Sequence, residues 1–188
     1  MKKYLLLWLL LPSLCFAQEN IPHWKIIPEK THIHWTASYA GKPVTGTLAG
    51  VNAVIQFDPQ KPEQSKVAVT IAMDSIQSDD KNAAEMLRGD EWLATAQYPT
   101  ATFVSEKITH SHDKYYEANG TITIRGVSKP VTFPFTVVFT DKDRKHAIVG
   151  GNATLFRLDY GIGTGEWADK TIVENAIKID FQLEAEQE

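Results

Sequence analysis

The chain has 188 residues, with 19 basic side chains against 23 acidic ones and a single cysteine. A net charge of −4 offers no basic face for neutralising phosphates, which excludes nucleic acid as a partner. With Cys15 alone, a disulfide framework and a thiolate metal site are excluded too, so stability has to come from a core.

The opening MKKYLLLWLLLPSLCFAQ sets Lys2 and Lys3 before an apolar run broken at Pro12. That run is shorter than the ~18 apolar residues a membrane span needs, and it reads as a secretory signal peptide over residues 1–17, cut after Ala17. Residues 18–188 are then one soluble domain of the periplasm. A lipoprotein reading of Cys15 lacks the small residue it requires, since Leu14 stands there. Removing the leader leaves 17 basic against 23 acidic side chains, a net charge of −6.

Beyond the leader, apolar residues recur at every second position in runs bounded by Gly, Pro, Asn or Asp, the pattern of half-buried antiparallel strands. Ile33, Trp35, Ala37 and Tyr39 share one face, as do Val51, Ala53, Ile55 and Phe57, and then Val67, Val69, Ile71 and Met73. The segment SDDKNAAEMLRGDEWLATAQYP interrupts them. It predicts a short helix with Ser78 as N-cap and Gly89 as stop, then a second helical turn over 91–96 ended by Pro99. Ala118, Ile122 and Ile124 lead to a turn from Gly126 to Pro130, and Val131, Phe133, Phe135, Val137 and Phe139 follow it. The last strand alternates Val173, Ile177, Ile179, Phe181 and Leu183 with charged and amide side chains. About eight strands with one helical insertion predict an all-β fold, a single closed antiparallel up-and-down barrel, since closure leaves no frayed edge in a chain without disulfides.

Few residues offer chemistry. His32 and His34 project to one strand face, as do His110 and His112, but no acidic residue stands at a matching spacing, and solvated histidines are the plainer reading. The glycines of GIGTGEW, Gly161 to Trp167, read as a turn or as a loop meeting a polar group at the barrel mouth. Arg157 and Asp159 are placed to pair on a strand face, or Arg157 to meet an anionic headgroup; Arg125 borders the turn and has the same two readings. No serine elbow or ordered Ser, His and Asp set is present, so catalysis finds no foothold and no cofactor is expected. The rings of Trp35, Tyr39, Phe57, Phe103, Phe133, Phe135 and Phe139 either fill the barrel or line a space for a long apolar ligand.

Four stretches carry a resemblance over nearly the whole domain: VTGTLAG leading into IQFDP, then LRGDEWLATAQYPTATFVS, NGTITIRGVSKPVTFPF and FRLDYGIGTGEW. They resemble the YceI-like family of periplasmic polyisoprenoid-binding proteins. Where members often carry an Arg-Asp-x-His run, this chain has Ala83, Ala84, Glu85 and Met86, which makes the helix more apolar. The resemblance implies a lipocalin-like barrel that binds an isoprenoid lipid, a prenyl quinone or a polyprenyl chain, and does no catalysis. The residues it implies along the lipid are Trp35, Tyr39, Phe57, Ile71, Met73, Leu87, Trp92, Phe103, Ile122, Ile124, Phe133 and Phe135, with Arg125, Arg157 and Trp167 at the headgroup. Two other readings stay open. One is a metal-dependent or acid-base enzyme of the envelope using His32 and His34; the other is a filled barrel whose loops at Trp92 and Trp167 dock on a membrane or redox complex. Pairing into a dimer is equally open.

Overall fold

The computed structural model describes residues 20–188. The leader of residues 1–17, with Cys15 and the cut after Ala17, lies outside the described residues.

Eleven strands form one antiparallel sheet: β1 (His23–Ile26), β2 (His32–Tyr39), β3 (Lys42–Leu48), β4 (Val51–Gln56), β5 (Lys66–Ala72), β6 (Gln77–Ser78), β7 (Thr100–His112), β8 (Tyr115–Ile124), β9 (Val127–Phe139), β10 (His146–Phe156) and β11 (Ala176–Gln187). The ring closes because β11 pairs with β1 through Ala185–Gln187 and with β2 through Lys178–Gln182. β1 and β2 are therefore one stave in two pieces. By the same register β3 pairs with β2 while β4 pairs with β1, and β6 pairs with β3 while β5 pairs with β4. The architecture is the predicted closed barrel of eight staves, three of them interrupted, with one α-helix among the described residues, α1 (Lys81–Arg88).

Local chemistry explains the breaks. Between β1 and β2 the chain leaves the sheet through a 3-10 turn at Pro28–Lys30, where the proline ring suits the first turn of a helix and supplies no N–H for a strand ladder. Between β8 and β9, Arg125 and Gly126 both have positive φ, 50° and 72°, the two-residue type I′ hairpin whose twist matches its flanking strands. The wider turn expected from Gly126 to Pro130 is corrected here: Val127 to Pro130 pair with Thr121 to Ile124 as ordinary strand. A Cβ on Gly126 would sit 2.7 Å from the Tyr98 ring, so packing as well as φ requires glycine.

The helix begins two residues later than its sequence signal. Ser78 is held in β6, its hydroxyl donating to the Thr45 carbonyl, and the cap passes to Asp80, whose carboxylate accepts from the Asn82 N–H at 2.9 Å. Gly89 ends the helix as expected. The second helical turn over 91–96 is replaced by tight turns around Ala94, which has φ 47° and whose carbonyl accepts from both Gln97 and Tyr98. Arg157 and Asp159 do not pair on a strand face either, because Arg157–Tyr160 is a 3-10 turn.

Two apolar clusters fill the barrel ends. Trp24, Phe57, Ile108 and Tyr116 pack at the end that carries the β7–β8 and β9–β10 hairpins, with the Trp24 indole donating to the Phe57 carbonyl. Burial raises the Tyr116 phenol pKa, opposed by the Arg144 charge and reinforced by Asp58. Trp35, Met73, Ile76 and Leu93 pack at the other end, under α1 and the turns that follow it.

Candidate functional site

Between the two clusters lies a cavity with about 1500 Å3 of empty space counted out to its mouth. Its wall is nearly all apolar, as the alternation dictates: inward positions of every stave carry the aliphatic and aromatic side chains, outward positions the polar ones. The space exists because many inward positions are small. Ala53, Ala101, Ala118, Ala147 and Ala185 share the wall with Phe103, Phe133, Phe135 and Phe181, and five methyl groups leave space that larger side chains would take up. These alanines sit in the alternation and were legible there, but a reading focused on large rings passes over them.

Of the residues proposed along the lipid, Phe57, Ile71, Met73, Phe103, Ile122, Ile124, Phe133 and Phe135 all line this cavity. Phe133 anchors the wall, standing edge-on to Phe103 at 5.0 Å and to Phe181 at 6.3 Å. Trp35, Tyr39, Leu87 and Trp92 are not in the wall. Trp35 is buried in the end cluster, donating to the Gln77 carbonyl, and Leu87 packs on that cluster from α1. Trp92 lies against Trp167, and Tyr39 is half exposed at the end of β2.

Arg125, Arg157 and Trp167 come together at the α1 end, and none of them lines the cavity. Arg157 is 2% exposed and gives all five of its N–H groups to main-chain carbonyls, those of Glu174, Ile162, Gly163, Trp167 and Val173. Burial lowers its pKa, and the carbonyl dipoles take the place of a carboxylate. GIGTGEW is the strap around this guanidinium: a Cβ on Gly163 would sit 2.8 Å from Arg157 Nη1 and 3.0 Å from the Trp92 ring. Arg125 donates to the carbonyls of Gly161 and Asp90, and the Trp167 indole to Glu91 Oε2 at 3.0 Å. Their donors tie loops together.

His32 and His34 project outward from β2 with rings 6.5 Å apart. The sequence offered no acidic neighbour, but the fold supplies one, since Asp180 on β11 stands opposite His34 and Gln182 opposite His32. These four side chains line a shallow outer pocket together with Gly151 and Phe181. His110 and His112 lie by the β7–β8 hairpin instead, against Tyr116 and Tyr115. Among the described residues, no three His, Cys, Asp or Glu side chains gather at metal-binding spacing.

A charge on the wall has nowhere to find a partner. Phe133→Asp is expected to abolish uptake of an apolar fluorescent probe and to cost several kcal/mol of stability. Phe133→Leu should keep the fold and weaken uptake, read by parallel thermal melts and probe titrations; unchanged uptake in both variants would mean that the probe does not enter the cavity.

Residues 24–185 match the family profile described as YceI-like domain. A UPF0312 protein of Pseudomonas putida KT2440 is 30% identical over 152 residues, covering 78% of this chain and 79% of the relative. Among solved structures, Burkholderia cenocepacia BcnA superposes with a TM-score of 0.80 at 30% identity, covering 85% of this chain and 98% of that one. A Campylobacter jejuni YceI protein gives 0.68 at 26% identity, over 76% and 84% of the two chains. A polyisoprenoid binding domain from Saccharophagus degradans, at 14% identity, shares the fold with a TM-score of 0.71 over 89% and 99%. The chain belongs to the YceI-like family.

Proposed function

We propose that this YceI-like barrel is an isoprenoid-binding protein of the periplasm that carries, stores or sequesters its lipid without chemical change. The apolar cavity inside the ring carries the reading. A stave barrel that served only as a docking module would fill its interior to ordinary packing density, whereas this one keeps a cavity lined by aliphatic and aromatic side chains. The ligand class draws support from the Saccharophagus degradans domain, which is named for polyisoprenoid binding. Location draws support from the leader-like residues 1–17. Among the described residues no helix is long and apolar enough to cross a membrane.

The test is lipid extraction of protein purified from its native host, followed by mass spectrometry. A prenyl lipid recovered in near-stoichiometric amount is the expected result. Recovery of no apolar molecule, together with no uptake of added prenyl quinone, would overturn the reading.

A further inference from the structure

Both ends of the barrel are packed shut. At one end Ile108 is wholly buried among Trp24, Phe57 and Tyr116, and the Arg144 guanidinium lies 4.2 Å from the centre of the Phe139 ring. At the other, Trp35, Met73, Ile76 and Leu93 are buried under α1 and the turns after it. A long tail entering along the barrel axis would have to displace one of these clusters and give up the burial of several large side chains at once. A route into the cavity has to lie in the side wall.

Among the described residues three junctions between staves lack ladder pairs, and two of them are covered. β6 does not pair with β7, and α1 lies over that break: Arg88 donates to the Asp74 and Ile76 carbonyls, and Leu87 packs on the end cluster. β9 and β10 part beyond Phe135 and Gly151, where Pro134 and Pro130 bring no N–H to a ladder. That break is closed from inside by the rings of Phe133 and Phe181, edge-on at 6.3 Å, with Phe181 lying against Gly151.

The third break is open. β1 and β4 pair only through His23 with Gln56 and Trp24 with Ile55, and pairing between the two staves resumes at Ile33 with Leu48. Between those points the link from Ile27 to Thr31 faces residues 49–54 with no hydrogen bond across. The link is fastened on its other side, where the Ile27 N–H donates to the Glu184 carbonyl and Lys30 Nζ meets Glu184 Oε2 at 2.6 Å. Thr31 from one margin and Val51 and Ala53 from the other line the cavity, and these small side chains carry no ring to close the space. At about 3.3 Å per residue the free edge of the β4 stave is up to roughly 20 Å long.

We propose that this break, between the Ile27–Thr31 link and β4, is the portal through which the prenyl tail enters and leaves the cavity. The portal rests on the isoprenoid reading of the cavity and adds to it the route its ligand takes. The β4 lip, Val51 to Val54, carries no charge, and Val54 stands 63% exposed on its outside. Lys30, on the opposite margin, is held toward β11 by Glu184. A tail leaving a lipid surface therefore finds apolar side chains from lip to lumen, Val54 first and then Val51 and Ala53, before it turns along the staves.

The experiment staples the portal. In a Cys15→Ser background the full chain receives Thr31→Cys and Val51→Cys, joined across the break by a reducible bifunctional thiol reagent. A second pair, Thr132→Cys and Thr154→Cys, staples the β9–β10 break in the same way. Uptake and release of a prenyl quinone, and of an apolar fluorescent dye, are followed by stopped-flow fluorescence. The portal staple is expected to slow both by about tenfold or more, with the native rate restored on reduction and no change from the β9–β10 staple. An unchanged rate behind the portal staple, or slowing by the β9–β10 staple instead, overturns the portal and leaves the isoprenoid reading in place. If a melt shows the stapled pair unfolded, maleimide labelling of Ala53→Cys against Ala147→Cys decides: reaction about a hundredfold faster at Ala53→Cys, with protection by the quinone, is expected, and equal rates overturn the portal. Dye uptake slowed by the staple in a chain that takes up no quinone keeps the portal and removes the isoprenoid reading. A native chain that takes up neither removes both.

Discussion

Arg157→Ala is expected to be the most destabilising single truncation outside the apolar clusters, lowering stability by about 4 kcal/mol or more. The side chain is 2% exposed, and its removal strands five carbonyls that the strap from Ile162 to Glu174 has turned inward. Water can reach some of them only by loosening the strap, which also holds the Trp92 and Trp167 pair. For a domain of this size the midpoint of thermal unfolding should fall by about 10 °C or more. Arg157→Lys should recover little, because an ammonium has three donors on a tetrahedral centre and cannot reproduce a planar fork that reaches five acceptors. A midpoint within about 2 °C of the native one for Arg157→Ala would mean that the carbonyls are satisfied otherwise, and would return Arg157 to the side chains available for a ligand.

Arg157 also marks where the sequence stops being informative. In FRLDYGIGTGEW the arginine and Asp159 stand two apart, the spacing of a strand pair, and nothing in that spacing announces a 3-10 turn or five carbonyls converging from residues up to seventeen positions away. What was legible follows from local periodicity. The alternation from Val131 to Phe139 and from Ile177 to Leu183 placed Phe133, Phe135, Val137 and Phe139 of β9 and Ile179, Phe181 and Leu183 of β11 on the inward face, because a period of two leaves no freedom once one face is buried, but it stopped short of Ala185 and began the last strand too early, at Val173. The interruptions of the first three staves were illegible, since they appear only when the register of each strand against its neighbours is known. The same holds for Asp180 beside His34, a neighbour made by β2–β11 pairing and invisible along either strand. The helix cap moved from Ser78 to Asp80 because β6 pairs with β3, a tertiary contact that outbids a local signal. The cavity itself was half legible: its rings, with Ala53 and Ala118, stood in the alternation, but nothing along the chain says that the small side chains leave the space open.

Affinity is expected to rise with the length of the prenyl tail until the tail outgrows the wall, and then to level off. Along each stave the lining spans about six residue steps, from Phe133 to Phe139 on β9 and from Ile179 to Ala185 on β11. At about 3.3 Å per residue that is roughly 20 Å of strand. An extended five-carbon unit advances four bonds of about 1.25 Å each along its axis, about 5 Å in all. A tail lying along the staves therefore fits about four units. Each unit brings five carbons out of water, on the order of 3 kcal/mol before the cost of ordering the chain, so a gain of about tenfold per unit should survive. One hydrogen bond to a headgroup is worth about 1 kcal/mol net, so tail length outweighs headgroup chemistry over this range. The measurement is a titration of quinones with one to eight prenyl units, followed by tryptophan fluorescence, for which Trp24 in the cavity wall is placed to respond. A plateau beginning near four units would mean a straight tail whose excess stays outside the cavity. Continued gain to eight units would mean a tail folded back on itself within the cavity. Equal affinity for one unit and for four would show that the staves contribute nothing to recognition, and the cavity would lose its standing as the binding site.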